Sequence, residues 1–138
     1  MSDIAIEVTL SLPFDEAIAT VTAALKAEGF GILTRIDVDK TLKEKIGADF
    51  RRYVILGACN PPLAHRALSH DAHVGLLLPC NVTVEQAPDG EGTIVRIGNP
   101  EVLMKAGDFE TDPDLASVAA EARARLERAA KALTTGQA

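Results

Sequence analysis

The stretch that most limits what this chain can fold into is Tyr53-Val-Ile-Leu-Gly-Ala-Cys59, which runs straight into Asn60-Pro61-Pro62. In an extended chain Tyr53, Ile55, Gly57 and Cys59 share one side, and Val54, Leu56 and Ala58 share the other. A segment apolar on both sides belongs in the centre of a sheet or under a cover. The two prolines stop it, and Asn60 is placed to cap the helix that follows.

The remaining segments supply the neighbours such a strand needs. Ile4, Ile6, Val8 and Leu10 alternate with polar or small residues, the period of a half-buried strand. Pro13, Asp15 and Glu16 suit a helix N-terminus, Phe14, Ile18, Val21 and Leu25 form its apolar stripe, and Gly29 ends it. Residues 30–38 read as a strand with Phe30, Ile32, Thr34, Ile36 and Val38 on one face. Asp39 is expected to cap a short surface helix over 41–46, closed by Gly47. In the helix begun by Pro61, Ala64, Ala67 and Leu68 are the expected buried side.

Residues 74–78 fit an extended return and a helical turn equally. Val82 and Val84 mark a fourth strand, residues 87–92 carry the Asp-Gly hairpin signal, and Thr93 to Ile97 form a fifth. Residues 104–112 read as a loop with room for one helical turn. Asp112-Pro113 then opens a long helix with Leu115, Ala119, Ala122, Leu126, Ala129 and Leu133 in one stripe; residues 134–138 are expected to fray. The expectation is an α+β domain spanning residues 1–138. It has one antiparallel five-stranded sheet, two long helices on one face and a short helical insertion after strand three.

Composition excludes some functions. A net charge of −6 opposes nucleic acid, whose phosphates need a basic face. No Trp and only 4% aromatic residues leave little for base stacking. There is no basic leader and no apolar run of roughly 18 residues, so no signal peptide or membrane span is expected, and the cytoplasm is the default location. Two cysteines in that setting read as thiols.

The chemistry-bearing residues are concentrated between Tyr53 and Val84, which hold both cysteines, all three histidines and a repeated Cys-Asn pair, at 59–60 and 80–81. Residues 61–71 as a helix rise about 16 Å, and 74–79 if extended cover at most roughly 20 Å, so Cys80 returns to the level of Cys59. In one reading both thiols are core residues, Cys80 sharing a face with Val82 and Val84. In another they form a reactive or reversibly bridged pair, with the Pro61 helix N-terminus stabilising a Cys59 thiolate. A metal site from Cys59, His65, Cys80 and either His70 or His73 can be drawn, but no metal-ligand spacing supports it, and no metal or cofactor is assigned. His65, His70 and His73 otherwise read as surface residues, and Asn60 and Asn81 as a helix cap and a turn-side partner. No P-loop, dinucleotide fingerprint or nucleophile elbow is present.

The motifs Leu56-Gly-Ala-Cys-Asn-Pro61, Ala64-His-Arg-Ala-Leu68 and Leu76-Leu-Leu-Pro-Cys-Asn81 resemble the bacterial family called domain of unknown function 302. The resemblance extends from the first helix to the last. It implies a β-α-β(4)-α fold grouped with the TATA-box-binding-protein-like folds, and homodimers. It implies no catalytic residues, since the family's activity is not established, and no DNA binding.

The leading expectation is a domain that binds a small ligand or a partner at the Cys-Asn end of the sheet, with Cys59, Asn60, His65, Cys80 and Asn81 as candidate contacts. A thiol-dependent redox protein or enzyme using Cys59 and Cys80, and metal or haem binding through them, stand as alternatives; whether it is an enzyme is left open. A homodimer is expected, with a second copy helping to cover Val54, Leu56 and Ala58.

Overall fold

The computed structural model describes residues 4–135. Its strands are β1 (Ala5–Leu10), β2 (Gly31–Asp37), β3 (Tyr53–Cys59), β4 (Cys80–Gln86) and β5 (Thr93–Gly98). Its helices are α1 (Phe14–Ala27), α2 (Val38–Ile46), α3 (Pro61–His70), α4 (Pro100–Leu103) and α5 (Pro113–Thr135). Short 3-10 turns occupy Ala72–Leu77, Met104–Gly107 and Phe109–Thr111. The five strands form one open antiparallel sheet in the order β1-β5-β4-β3-β2. Helix α1 carries the chain from one edge to the other, and four consecutive strands then lead back until β5 lies beside β1.

The register explains the core. Val54 stands opposite Val84, Val84 opposite Val95, Leu56 opposite Val82 and Val82 opposite Ile97, so these side chains leave the sheet on one face. All of them are at most 2% exposed, and they pack with the α1 stripe and with Leu115, Ala122, Leu126 and Leu133 of α5. Each such side chain contributes about 1.5–3 kcal/mol by leaving water. Helix α5 lies against α1, α3 and β1, where its alanines allow close approach. Val54, Leu56 and Ala58 are thus covered by the chain's own helices, so the cover that the sequence reading sought partly in a second copy is supplied from within.

Several local expectations change. A bulge between Ile32 and Thr34 leaves Leu33 without a partner across the ladder. Ile32 therefore stands opposite Ala58 on the covered face, whereas Ile36 stands opposite Ile55 on the other. The five residues expected on one face of β2 are split; Leu33 is 66% and Ile36 49% exposed. Asp39 does not cap α2, which begins at Val38; its carboxylate accepts from the backbone N–H of Tyr53 at 3.2 Å. Gly47 does end that helix, in the left-handed conformation at φ +67°.

In α3 the buried residues are Leu63 and Ala67, while Ala64 is half-buried and Leu68 41% exposed. The helix turns toward α5 by about one position from the expected face. Thr134 and Thr135 close α5, their hydroxyls donating to the carbonyls of Ala130 (3.1 Å) and Ala132 (3.3 Å), where fraying was expected. Residues 136–138, expected to fray too, lie outside the described residues. Among the described residues no helix is long and apolar enough to cross a membrane.

Candidate functional site: the cysteine end of the sheet

Antiparallel pairing brings the end of β3 beside the start of β4, with Ala58 opposite Cys80 and Gly31 of β2 opposite Cys59. The cysteines come level, as the chain lengths suggested, although the return passes through a 3-10 turn at 72–77. Level does not mean facing. Cys80 follows Val82 and Val84 to the helix-covered face, and Cys59, one residue past Ala58, alternates away from it. Both thiols are free and half-buried. Burial, with a smaller contribution from Cys59, pushes the Cys80 thiol up to about 11. At neutral pH it is protonated and a weak nucleophile.

On the covered face this end of the sheet does not close. Residues of α3, the 72–77 turn, α4 and α5 surround a cavity of about 60 Å³ whose walls include Phe30, Leu63, Val74, Leu103, Met104 and Val118. Cys59, Asn60 and Cys80 are also on its wall. Leu77, Leu78, Cys80 and Leu103 are only half-buried, so the cavity reaches the surface. Asn60, 7% exposed, is the one amide on the wall, and its Oδ1 accepts from the N–H of Leu63 at 3.2 Å as the cap of α3. That rotamer also governs the start of β2. Gly29 has φ +87°, and a Cβ there would lie 2.8 Å from Asn60 Nδ2, so two constraints hold the position to glycine.

The structure brings together Cys59, Asn60 and Cys80, and separates His65 and Asn81 from them. His65 is exposed on the outer side of α3. Asn81 is exposed and stands opposite Gly57, so it leaves the sheet on the face away from the cavity. His70 joins Asp112 and Asp114, its Nε2 2.6 Å from Asp112 Oδ2 and its Nδ1 3.6 Å from Asp114 Oδ2. These three donors lie within 4.8 Å of one another and are, among the described residues, the one such cluster of metal-type ligands; it contains no cysteine. Burial opposes the Asp112 charge, but the backbone N–H groups of Leu115 and Asp114 and the His70 ring outweigh it and hold the carboxyl below its usual range. Asp112 is thereby occupied as the cap of α5. His73 pairs with Asp71 at 2.8 Å on the surface.

Sequence reading missed Leu103, which it assigned to no element, and Met104, which fell at the start of an expected loop. A signal was available. Asn99-Pro100 repeats the Asn60-Pro61 arrangement directly after a strand, and it starts α4 in the same way, with Asn99 Oδ1 accepting from the N–H of Glu101 at 3.1 Å.

The opposite face of the sheet also holds a buried group. Glu85, 3% exposed, accepts from Arg51 and from Arg96 (2.5 Å), and Arg96 also donates to Glu7 at 2.8 Å. Burial works against the Glu85 charge, but the two guanidinium groups prevail and keep its carboxyl below the usual range. Every acceptor atom of Glu85 is used within the chain, so this cluster reads as a structural clamp across β1, β5, β4 and the start of β3.

An α+β domain with one open antiparallel sheet, helices on one face and a small apolar cavity at one sheet end is the class these observations define. The chain belongs to the family described as domain of unknown function DUF302, which matches residues 6–133. A crystal structure of an uncharacterized conserved protein DUF302 from Bacillus stearothermophilus is similar at 34% identity and TM-score 0.83, covering 94% of this chain and 98% of that one. No match was found among curated proteins.

Proposed function

We propose that this domain binds a small apolar molecule, or the apolar end of a larger one, in the cavity between α3, α5 and the cysteine end of the sheet. The carrying observation is a space of about 60 Å³ walled almost entirely by apolar groups and open at half-buried residues. Leaving such a void empty costs about 1.4 kcal/mol by the relation between cavity volume and stability. Apolar cavities of this kind stay dry, and one of roughly 150 Å³ takes up benzene. A space less than half that size accepts a few carbon atoms and leaves the rest of a ligand outside. The rival reading, thiol chemistry through Cys59 and Cys80, has the protonated state of Cys80 against it.

Methyl NMR under xenon pressure tests the proposal, since a xenon atom is smaller than an aromatic ring and enters dry apolar cavities. Dissolved xenon is expected to shift the methyls of Leu63, Leu77, Leu103 and Val118, and Ala64→Leu, which fills the space from a half-buried wall position, is expected to abolish the response. If xenon moves none of these methyls in the wild-type protein, the reading fails.

A further inference from the structure

The walls of the apolar cavity are not held equally. The sheet end is fixed by its ladder, with Cys80 opposite Ala58. Helices α3 and α5 pack on one another and are bridged at the surface, Arg66 Nη1 lying 3.5 Å from Glu121 Oε1. Helix α4, which carries Leu103, is tied at Asn99, whose N–H donates to the Ile4 carbonyl at 2.7 Å, and by Arg123 donating to Glu101 at 2.8 Å.

The remaining wall is the turn over residues 72–78, which supplies Val74, Leu77 and Leu78. Among the described residues its hydrogen bonds run only to Asp71 or stay within the turn. The His73 N–H donates to Asp71 Oδ1 at 2.9 Å, the Val74 N–H to the Asp71 carbonyl at 3.1 Å and the Leu78 N–H to the Gly75 carbonyl at 3.2 Å. None reaches the sheet, α4 or α5. What holds the turn down is apolar: Val74 is its one buried residue, at 0% exposure, and Leu68 Cδ2 lies 3.6 Å from where a Cβ on Gly75 would stand. Leu76, on the outer side, is 86% exposed. Both ends are anchored by contrast. The Asp71 N–H donates to the Ala67 carbonyl at 2.9 Å, and beyond the other end Cys80 enters β4. Asp71 and Leu78, which flank the 3-10 turn, have extended backbones. A segment with fixed ends, no bonds to the sheet and a single buried anchor opens at lower cost than helices or strands around it.

Resting on the cavity reading above, we infer that residues 72–78 are a strap over the cavity: it lifts between Asp71 and Leu78, withdraws Val74, and admits a ring-sized apolar group that the closed space cannot hold. Closed, the space measures about 60 Å³, whereas benzene occupies a cavity of roughly 150 Å³. A larger group therefore needs one wall to move, and the strap is the wall with the fewest ties.

The test measures the on-rate of benzene by NMR exchange spectroscopy in the wild-type protein, Asp71→Ala and Gly75→Ala, with xenon as the probe of the closed cavity. Neither substituted residue lines the cavity. Asp71→Ala removes the carboxylate that holds the His73 N–H and is expected to raise the on-rate about five-fold, the effect of losing a typical cap. Gly75 stands in a helical turn that alanine adopts without strain, and the added methyl meets Leu68 at van der Waals distance. Gly75→Ala is expected to lower the on-rate about three-fold. Both variants are expected to keep the wild-type response to xenon, which shows that they are folded around an unchanged cavity. In the wild-type protein benzene is expected to shift the amides of His73 and Gly75, which xenon leaves in place. Benzene that fails to bind where xenon binds, or enters all three proteins at one rate, overturns the strap and keeps the cavity reading. So does benzene that binds without moving those two amides. If xenon fails as well, both readings fall together.

Discussion

The two faces of the sheet solve the same problem by different means. On one face Val54, Leu56, Val82, Val84, Val95 and Ile97 are buried under α1 and α5, and the surplus of apolar surface at the cysteine end is left as a cavity. On the other face no long helix lies, and the central buried group is a carboxylate, Glu85, held between Arg51 and Arg96. Burying an ion demands that every partner be present, and the clamp is complete, so it offers nothing to a ligand. Hydrophobic burial has no such stoichiometry. It tolerates a gap at a modest cost, and a gap is where a ligand can enter. The difference directs attention to the covered face, although the charged cluster is the more conspicuous of the two.

Three measurements bear on this contrast. The largest effect is expected at the covered face. Leu56→Asp would place a carboxylate under the chain's own helices, costing more than about 4 kcal/mol. Urea titration should show it unfolded or nearly so. A folded, stable Leu56→Asp protein that differed only in its sedimentation would show instead that this face meets a second copy.

Next comes alkaline pH at the cavity wall. The Cys80 thiol is raised from 9.0 to about 11, so between these pH values the unfolded chain has lost the proton that the folded chain keeps. The associated stability is complete below pH 9 and is lost as the pH rises through 11, a total of about 3 kcal/mol. Denaturant titrations across this range should show the decline, and Cys80→Ala should flatten it. An equal slope in both proteins would mean that Cys80 is fully solvated in the folded chain and is no part of a buried wall.

The smallest of the three effects is expected on the open face. Glu85→Gln should destabilise by about 2 kcal/mol, less than a fully buried pair would, since the guanidinium groups of Arg51 and Arg96 keep water contact. Because the folded Glu85 carboxyl lies below its usual 4.5, its contribution is present above that pH and disappears as the pH falls through the folded value. The variant should lose this part of the acid limb. A neutral substitution would reduce the clamp to a surface ion pair and remove the contrast between the faces.

Some of this molecule was legible along the chain. The stripe Phe14, Ile18, Val21, Leu25 and the stripe from Leu115 to Leu133 are buried as their spacing required, because a helix's period decides which side chains share a face before anything packs on it. The central place of Tyr53–Cys59 followed from its two apolar sides, and Asn60, Gly47 and Asp112 end or begin helices where their local chemistry placed them. Pairing and packing decided the rest. A bulge at Leu33 divided β2 between two faces, and a one-residue offset sent Cys59 and Cys80 to different sides although they stand level. Alternation with Val82 and Val84 turns Glu85 to the other face of β4, but only the folded sheet brings residues 7, 51 and 96 around it. The cavity is of the same kind: Leu63, Leu103, Met104 and Val118 come from separate helices and turns, and whether they fill a space depends on distances between elements. Periodicity reports how a residue is turned relative to its neighbours in the chain; only the folded chain decides what it is turned toward.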